Sequence, residues 1–242
     1  MKKALILFPH GIGDVIMATP CLRDLHSAGY TVDMMVRDSV IDSCLLNKCP
    51  YIGTLYSIKV DGKGIRGPAF KNYSLPAFDL IKNSYDWSGV VLLNGGPSRI
   101  KQIAKELKLR PKSWNLEVFI SKKAHITAWQ YLKDNKICDF VFVHTVPVHS
   151  GHIWESAEFV KKAFPKLSVV DTRYLKTWKD INVTFALAYA AKHRVLSCSV
   201  MVHACDAMGC TIDAVNYGTL NNPCYPLRKN VILKDFIKGK AL

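Results

Sequence analysis

Apolar runs and segments of helical spacing alternate along the chain. A continuous apolar run covers residues 4–8, and a segment with helical spacing begins at Asp14, after a turn that contains Pro9, Gly11 and Gly13. Short apolar runs bounded by turn residues predict buried strands, whereas apolar residues three and four apart predict helices. The first 20 residues therefore predict a strand, a turn and a helix.

The same alternation fills two successive halves of the chain, and the second series begins after about residue 122. Strands that alternate with helices favour parallel sheets, so the pattern predicts the α/β class with two Rossmann-like domains that face each other across a cleft. The expected domains cover residues 1–122 and 123–228, followed by a basic amphipathic helix over 229–242. The predicted strands cover 31–37, part of 51–59, 89–94, 140–144, 167–171, 194–197 and 210–215, and the predicted helices cover part of 38–46, 75–85, 98–107, 124–134, 155–164, 181–192 and 200–208.

Composition indicates a soluble globular protein. The 242 residues are 49% hydrophobic and 21% charged, which is enough apolar material for buried cores. No apolar stretch reaches the roughly 18 residues that span a bilayer. The eight cysteines form no Cys-x-x-Cys pair, which favours reduced thiols and a cytoplasmic location.

The charge balance is strongly basic, with 33 Lys and Arg residues against 19 Asp and Glu residues and a net charge of +14. Such a balance favours a polyanionic partner, such as nucleic acid, a phosphorylated glycan or a nucleotide-linked donor, and the alternative is a solvated basic surface. The same two interpretations apply to the basic run over 101–112. The Gly-rich loop over 60–73 suits acceptor contacts or a plain surface connection. The basic C-terminal helix could contact a membrane surface.

The turn after the first strand carries the candidate chemistry. Gly11 and Gly13 allow a ligand close to the backbone, the helix start offers free N–H groups, and Asp14 places a carboxylate beside them. The spacing lacks the third glycine of a dinucleotide-binding turn, which disfavours a nicotinamide dehydrogenase, and no Gly-Lys-Ser/Thr follows as in a Walker loop. Asp14 is therefore a candidate catalytic base, and its alternative role is a helix cap.

Three motifs resemble glycosyltransferase family 9, the ADP-heptose:lipopolysaccharide heptosyltransferase type. Gly13-Asp14-Val15-Ile16, continued by Thr19-Pro20-Cys21-Leu22-Arg23, resembles the family's first turn and helix. The segments 144–155 and 195–204, the latter followed by Gly209, resemble its two later motifs in the same order. The resemblance implies a compact GT-B fold, an acceptor site in the first domain and a nucleotide-sugar site in the second. It also implies that the C-terminal helix over 229–242 could cross back onto the first domain.

The resemblance also implies which residues act. Asp14 matches the family's catalytic Asp, the general base of an inverting, metal-independent transfer of a hexosyl, heptosyl or pentosyl group. No cofactor beyond the nucleotide-sugar substrate is expected, and His144, His149 and His152 lack the fourth ligand of a zinc site. The expected acceptor-side or phosphate-binding residues are His10, Gly11, Gly13, Asn94 and Gly95, and the expected donor-binding residues are His144, Thr145, Gly151, His152, Cys198, Ser199, Met201 and His203.

Two alternatives stay open at this point. The acceptor is either a phosphorylated glycan or a hydroxymethylated base in DNA, as in phage-type DNA modification. The family's Asp and Gly near the third motif fall on Cys198 and Val200 here. The chain could therefore be a non-catalytic protein that binds a nucleotide-sugar or nucleic acid through a degenerate donor site.

Overall fold

The computed structural model describes residues 2–58, 76–84, 99–144, 156–175, 180–197, 199–218 and 233–238. The chain divides into two compact units, Met1–Phe119 (unit 1) and Ile120–Leu242 (unit 2). Each unit contains a sheet whose described strand pairs are all parallel, and helices alternate with strands along most of the described residues. The α/β class predicted from the sequence is therefore confirmed.

Unit 1 has four described strands in the spatial order β3-β2-β1-β4. The apolar run at the front of the chain lies at the centre, and residues 4–8 are buried, as expected of a strand covered on both faces. Leu5, Leu7, Met35 and Ile58 form a core cluster with Phe78 packed against it. The elements are β1 (Lys2–Phe8), α1 (Ile12–Ser27), β2 (Tyr30–Arg37), α2 (Asp38–Asp42), β3 (Ile52–Ile58), β4 (Leu80–Asn83) and α3 (Arg99–Glu106).

The helix α1 continues through an internal proline. Pro20 has no N–H, so the carbonyl of Ile16, four residues earlier, loses its helical donor. The Thr19 hydroxyl donates to that carbonyl at 2.7 Å. The side chain of the preceding residue thus satisfies the acceptor that Pro20 leaves open, and the helix runs on to Ser27.

One predicted helix of unit 1 is wrong. Residues 75–85 carry apolar side chains at helical spacing, but Leu80–Asn83 forms β4, which pairs in parallel with residues 4–7 of β1. Pairing with a buried central strand outweighs the local helical pattern, because strand formation depends on neighbours more than on propensity. The predicted strand over 89–94 and the loop over 60–73 lie outside the described residues.

Unit 2 has five described strands in the order β6-β5-β7-β8-β9. Val141, Val143, Val160, Val195 and Ala214 form its core cluster. The elements are α4 (Lys122–Asp134), β5 (Phe140–His144), α5 (Ser156–Ala163), β6 (Ser168–Asp171), a 3-10 turn (Thr172–Tyr174), α6 (Ile181–Ala190), β7 (His193–Ser197), α7 (Val200–Ala207), β8 (Ile212–Gly218) and β9 (Leu233–Lys238).

The predicted C-terminal helix over 229–242 is also wrong where the structure describes it. Leu233–Lys238 forms β9 and pairs in parallel with β8, in a register that runs from Ile212↔Leu233 to Gly218↔Lys238. The apolar residues of this segment fit both a helix and a strand. The segment forms a strand because it pairs with the edge of β8. Within the described residues, no helix has the length and apolar character that crossing a membrane requires.

Candidate functional site

The strand order of unit 1 creates a switch point between β1 and β4. From β1 the chain builds β2 and β3 on one side of the sheet and then adds β4 on the other side. In open α/β sheets, ligands bind beyond the carboxyl ends of the strands at such a point. In unit 1 the residues after these ends are His10, two positions after β1, and Ser84, directly after β4.

His10 and Ser84 join the two strand ends through hydrogen bonds. His10 Nε2 lies 2.9 Å from the Ser84 carbonyl oxygen and 2.7 Å from Ser84 Oγ. The carbonyl can only accept, so Nε2 carries the proton. Burial lowers the pKa of His10, although the nearby Asp14 carboxylate raises it, and the imidazole is neutral at pH 7. His10 therefore holds the strand ends together as a neutral donor.

Ser84 links this pair to the helix α3. Its hydroxyl donates to Glu106 Oε2 at 2.6 Å, and the other oxygen of Glu106 accepts from Arg99 Nη1 at 2.9 Å. Arg99 and Glu106 lie seven positions apart on α3, which places them near the same helix face. The helix thus directs a buried ion pair toward the ends of β1 and β4.

Arg99 also holds Asp14. Its Nε donates to Asp14 Oδ1 at 2.9 Å, while the Arg99 side chain is only 7% exposed. Asp14 is 27% exposed and Glu106 13% exposed, so Asp14 is the most accessible acid of this network. Among the described residues, none donates a hydrogen bond to the second oxygen of Asp14. One oxygen is therefore oriented by a fixed cation, and the other can accept a proton from a ligand.

Asp14 does not cap its helix. The helix α1 begins at Ile12 with Gly11 as its N-cap residue, no side chain caps it, and Asp14 lies in the first turn. Gly13 is therefore inside the helix rather than in the preceding turn. Gly11 has an extended backbone, and a Cβ there would meet Asp14 Oδ2 at an ordinary 3.7 Å. A side chain at Gly11 would lie close to the second oxygen of Asp14.

Sequence reasoning missed three members of this network. Ser84 lies in a segment whose spacing predicts a helix, and Arg99 and Glu106 belong to a helix whose pattern shows only that it is basic and amphipathic. Arg99 and Glu106 lie seven positions apart, on the helix that carries the buried Ile103. This spacing of opposite charges was the one sequence signal for a buried ion pair. The basic residues singled out on and after this helix, Lys101, Lys105, Lys108, Arg110 and Lys112, are all at least partly exposed.

Unit 2 has its own switch point, between β5 and β7. After β5 the chain adds β6 on one side of the sheet and then β7 on the other. The predicted donor-side residues His144 and Ser199 lie at this point, because His144 ends β5 and Ser199 precedes α7, shortly after β7. The structure therefore brings these two to the strand ends where α/β sheets bind nucleotides.

His144 is a buried, uncharged group. Its Nδ1 lies 2.9 Å from Thr172 Oγ1, a partner that sequence reasoning missed. Burial lowers the pKa of His144 to about 4, against a smaller opposing effect of Asp171. At neutral pH the imidazole can thus contact a ligand only as a hydrogen-bond partner and not as a cation.

The helix α7 begins with a capped turn. Ser199 is its N-cap residue, and its Oγ accepts a hydrogen bond from the Met201 N–H at 3.2 Å. This bond occupies one of the N–H groups expected to face a diphosphate, whereas the remaining N–H groups of the first turn keep the positive end of the helix dipole. The side chains of Met201 and His203 are buried.

Several predicted site residues lie outside the described residues. They are Asn94 and Gly95 on the acceptor side, and Thr145, Gly151, His152 and Cys198 on the donor side. His149, the third histidine weighed as a zinc ligand, lies outside them too. The assignments of these residues stay predictions.

No protein-family model matches the sequence, and no curated protein matches it. Solved structures do match it in fold. A glycosyltransferase family 9 protein from Veillonella parvula has a TM-score of 0.67 at 13% identity, over 98% of this chain and 86% of its own. Escherichia coli ADP-heptose lipopolysaccharide heptosyltransferase II has a TM-score of 0.66 at 14% identity, over 98% and 90% of the two chains.

A third structure, the E. coli heptosyltransferase WaaC solved with ADP, has a TM-score of 0.56 at 12% identity, over 91% of this chain and 88% of its own. The chain therefore has the GT-B fold of the family 9 heptosyltransferases over nearly its whole length. Identities this low show the fold alone, so an activity has to be argued from the site residues.

Proposed function

We propose that this protein is an inverting glycosyltransferase that moves a sugar from a nucleotide-sugar to an acceptor hydroxyl, without a metal ion. The observation that carries the proposal is the Asp14 carboxylate, which Arg99 orients at the switch point of unit 1. It stands at the position of the catalytic Asp in the family motif that the sequence resembles. The fold shared with heptosyltransferases supports the same assignment.

In the proposed reaction, the second oxygen of Asp14 accepts the proton of the acceptor hydroxyl. The hydroxyl oxygen attacks the anomeric carbon, the bond from that carbon to the nucleotide phosphate breaks, and the configuration at the carbon inverts. Arg99 keeps the first carboxylate oxygen fixed during this step, which supplies the orientation that a general base needs. Such a base contributes roughly 10²–10⁴-fold to the rate.

The proposal assigns the nucleotide-sugar to unit 2. The N-terminal turn of α7 would stabilise the negative charge of the departing diphosphate. His144, uncharged at neutral pH, would contact the ribose or a phosphate oxygen by a hydrogen bond. One of the structures similar in fold was solved with ADP, and another is an ADP-heptose heptosyltransferase, so ADP-linked sugars are the first donors to test.

The proposed acceptor is polyanionic, either a phosphorylated glycan or a hydroxymethylated base in DNA. The net charge of +14 and the accessible basic residues on and after α3 support this choice. We further propose that the protein acts in the cytoplasm, where nucleotide-sugars and reduced thiols occur together. The competing function is a binding protein of the same fold that lacks turnover.

The donor site can be tested by thermal denaturation in the presence of nucleotide-sugars and free nucleotides. A ligand that binds only the folded protein raises the unfolding midpoint by mass action, and 100-fold excess over Kd adds about 2.7 kcal/mol. We expect one nucleotide to raise the midpoint and Ser199→Ala to reduce that rise. A variant of an exposed basic residue, Lys133→Ala, is the matched control and should bind normally.

A midpoint that no nucleotide-sugar or nucleotide changes would contradict the transferase proposal. A midpoint that rises with a nucleotide-sugar which the protein never consumes would instead support the binding protein.

A further inference from the structure

The carboxyl-terminal end of α7 brings two cysteines together. Gly209 has a φ of +70°, its N–H donates to the Asp206 carbonyl at 3.0 Å, and the Cys210 N–H donates to the Cys205 carbonyl at 2.9 Å. These two bonds define a Schellman motif, which packs the side chains of its first and last residues against each other. In this protein those residues are Cys205 and Cys210.

The side chains of the two cysteines interact with each other. A hydrogen bond joins the two side chains, with Cys205 completely buried and Cys210 7% exposed. Both are free cysteines in the structure. Cys210 is therefore the more exposed of the two cysteines, and Cys205 is fully buried beside it.

Arg194 provides a buried positive charge beside this pair. Its guanidinium donates to the carbonyls of Ala188, Tyr189, Ala191 and Thr211, at distances between 2.6 and 3.1 Å, and also to the Cys210 sulfur. A positive charge beside a sulfur stabilises its negative form. The Asp213 carboxylate is a second negative neighbour, and it accepts a hydrogen bond from the Arg194 backbone N–H at 2.9 Å.

The hydrogen bond with Cys205 and the charge of Arg194 lower the pKa of Cys210, against the effect of burial. The same hydrogen bond and burial raise the pKa of Cys205. The pair thus combines a thiolate at the more accessible position with a protonated thiol behind it, which is the arrangement of an attacking and a resolving cysteine.

We propose that Cys205 and Cys210 form a reactive dithiol site, which low-molecular-weight disulfides such as glutathione disulfide convert into an intramolecular disulfide. The site is separate from the residues assigned to sugar transfer, so it does not depend on that function.

The reaction proceeds in two exchanges. The Cys210 thiolate attacks one sulfur of glutathione disulfide, a mixed disulfide forms on Cys210, and one glutathione thiolate leaves. Cys205 loses its proton to that thiolate or to water and attacks the Cys210 sulfur, which releases the second glutathione. Overall, two protein thiols are oxidised and one glutathione disulfide is reduced to two glutathione molecules.

The test is to expose the folded full chain to glutathione disulfide at neutral pH, block the remaining thiols by alkylation, and map the products by mass spectrometry. Trypsin together with an Asp-specific protease leaves Cys210 as the one cysteine of the peptide 206–212 and Cys205 in the peptide 195–205. We expect a disulfide that joins these two peptides, with the loss of two hydrogens. Fragmentation separates Cys205 from Cys198 in the second peptide.

Cys138 is the internal control, because it is an exposed cysteine without a described cysteine neighbour and should stop at the mixed disulfide. In Cys205→Ser the mixed disulfide on Cys210 should persist, whereas in the native chain it should be resolved. The proposal is overturned if Cys138 reacts while Cys205 and Cys210 both stay free in the native chain. It is equally overturned if glutathione stays attached to native Cys210. Both outcomes are measured in the native chain, so they hold even if the variant folds poorly.

Discussion

Arg99 orients two carboxylates of unit 1. It is buried between two carboxylates, and it orients Asp14 with one nitrogen and Glu106 with another. Glu106 in turn accepts from Ser84, which is bonded to His10. The position of the proposed base therefore depends on a set of contacts that connects α1, α3 and the ends of two strands.

Removing this cation should destabilise the protein. Arg99→Ala leaves Asp14 and the mostly buried Glu106 close together without the positive charge, and breaking a buried ion pair costs about 3–5 kcal/mol. We expect the free energy of unfolding in urea to fall by about 3 kcal/mol. Lys101→Ala, an exposed position on the same helix, should change it by less than about 0.5 kcal/mol. Equal effects of the two substitutions would show that the network contributes nothing to stability.

His144 should make stability depend on pH. Its pKa is about 4 in the folded protein and near 6.5 when unfolded, so the unfolded chain binds the proton more readily. Stability from this group is complete above pH 6.5 and is lost as the pH falls toward 4, by on the order of 3 kcal/mol. The urea unfolding free energy, measured from pH 7 to pH 4, should fall more steeply in the native chain than in His144→Gln. Parallel curves would contradict the buried, neutral state.

At the residue scale, the sequence indicates groups next to recognisable turns and misses those that only folding brings close. Asp14 and His144 are predictable because each lies at or just after the end of a clear apolar run. The partners Arg99 and Thr172 lie 85 and 28 positions away from them. No local pattern encodes such pairings, so a single sequence cannot show them.

At the scale of elements, the central strands are the predictable ones. Residues 4–8 and 140–144 are buried on both faces, and continuous apolar runs of this length between turns are typical of buried parallel strands. The strands β4 and β9 are different. Both come from segments whose apolar spacing also fits a helix, and their conformation follows from pairing with β1 and β8. Such strands depend on a neighbour that the local pattern does not reveal.

The contribution of β9 to the second sheet can be tested by truncation. Removing residues 233–242 deletes β9 and leaves β8 with an unpaired edge, which should lower the unfolding midpoint and promote aggregation. Removing only 239–242, after the last residue of β9, should leave the midpoint unchanged. The unfolding midpoint measures the stability of both truncated forms, and light scattering measures their aggregation. Equal behaviour of the two truncations would contradict the role of β9 in the second sheet.

At the scale of the whole molecule, fold and charge support different parts of the proposal. The GT-B fold, shared with heptosyltransferases, supports the proposed type of reaction, while the net charge of +14 supports the proposed polyanionic acceptor. The fold was predictable because three separated motifs occur in the order of one family. The acceptor was not, because charge distinguishes polyanions from neutral molecules but not one polyanion from another.

A DNA acceptor should bind with a strong dependence on salt. Each phosphate that the protein neutralises releases counterions, so the binding constant falls with salt with a slope of roughly −0.9 per phosphate contact. We expect the binding constant for a labelled duplex, measured by fluorescence anisotropy from low to physiological salt, to fall with a slope that corresponds to several phosphate contacts. Binding that is insensitive to salt would exclude the duplex as a polyanionic acceptor and leave the phosphorylated glycan to be tested.

The most direct test of the central claim is nucleotide release from the nucleotide-sugar that stabilises the protein, measured in the native chain and in Asp14→Asn. Asn has the shape of Asp but cannot accept the proton, so release should fall by roughly 10²–10⁴-fold. The donor should still raise the unfolding midpoint of the variant. Asp42→Asn, an exposed carboxylate on α2, is the matched control and should keep the native rate. If Asp14→Asn releases nucleotide as fast as the native chain, Asp14 is not the base, and the proposed mechanism is wrong.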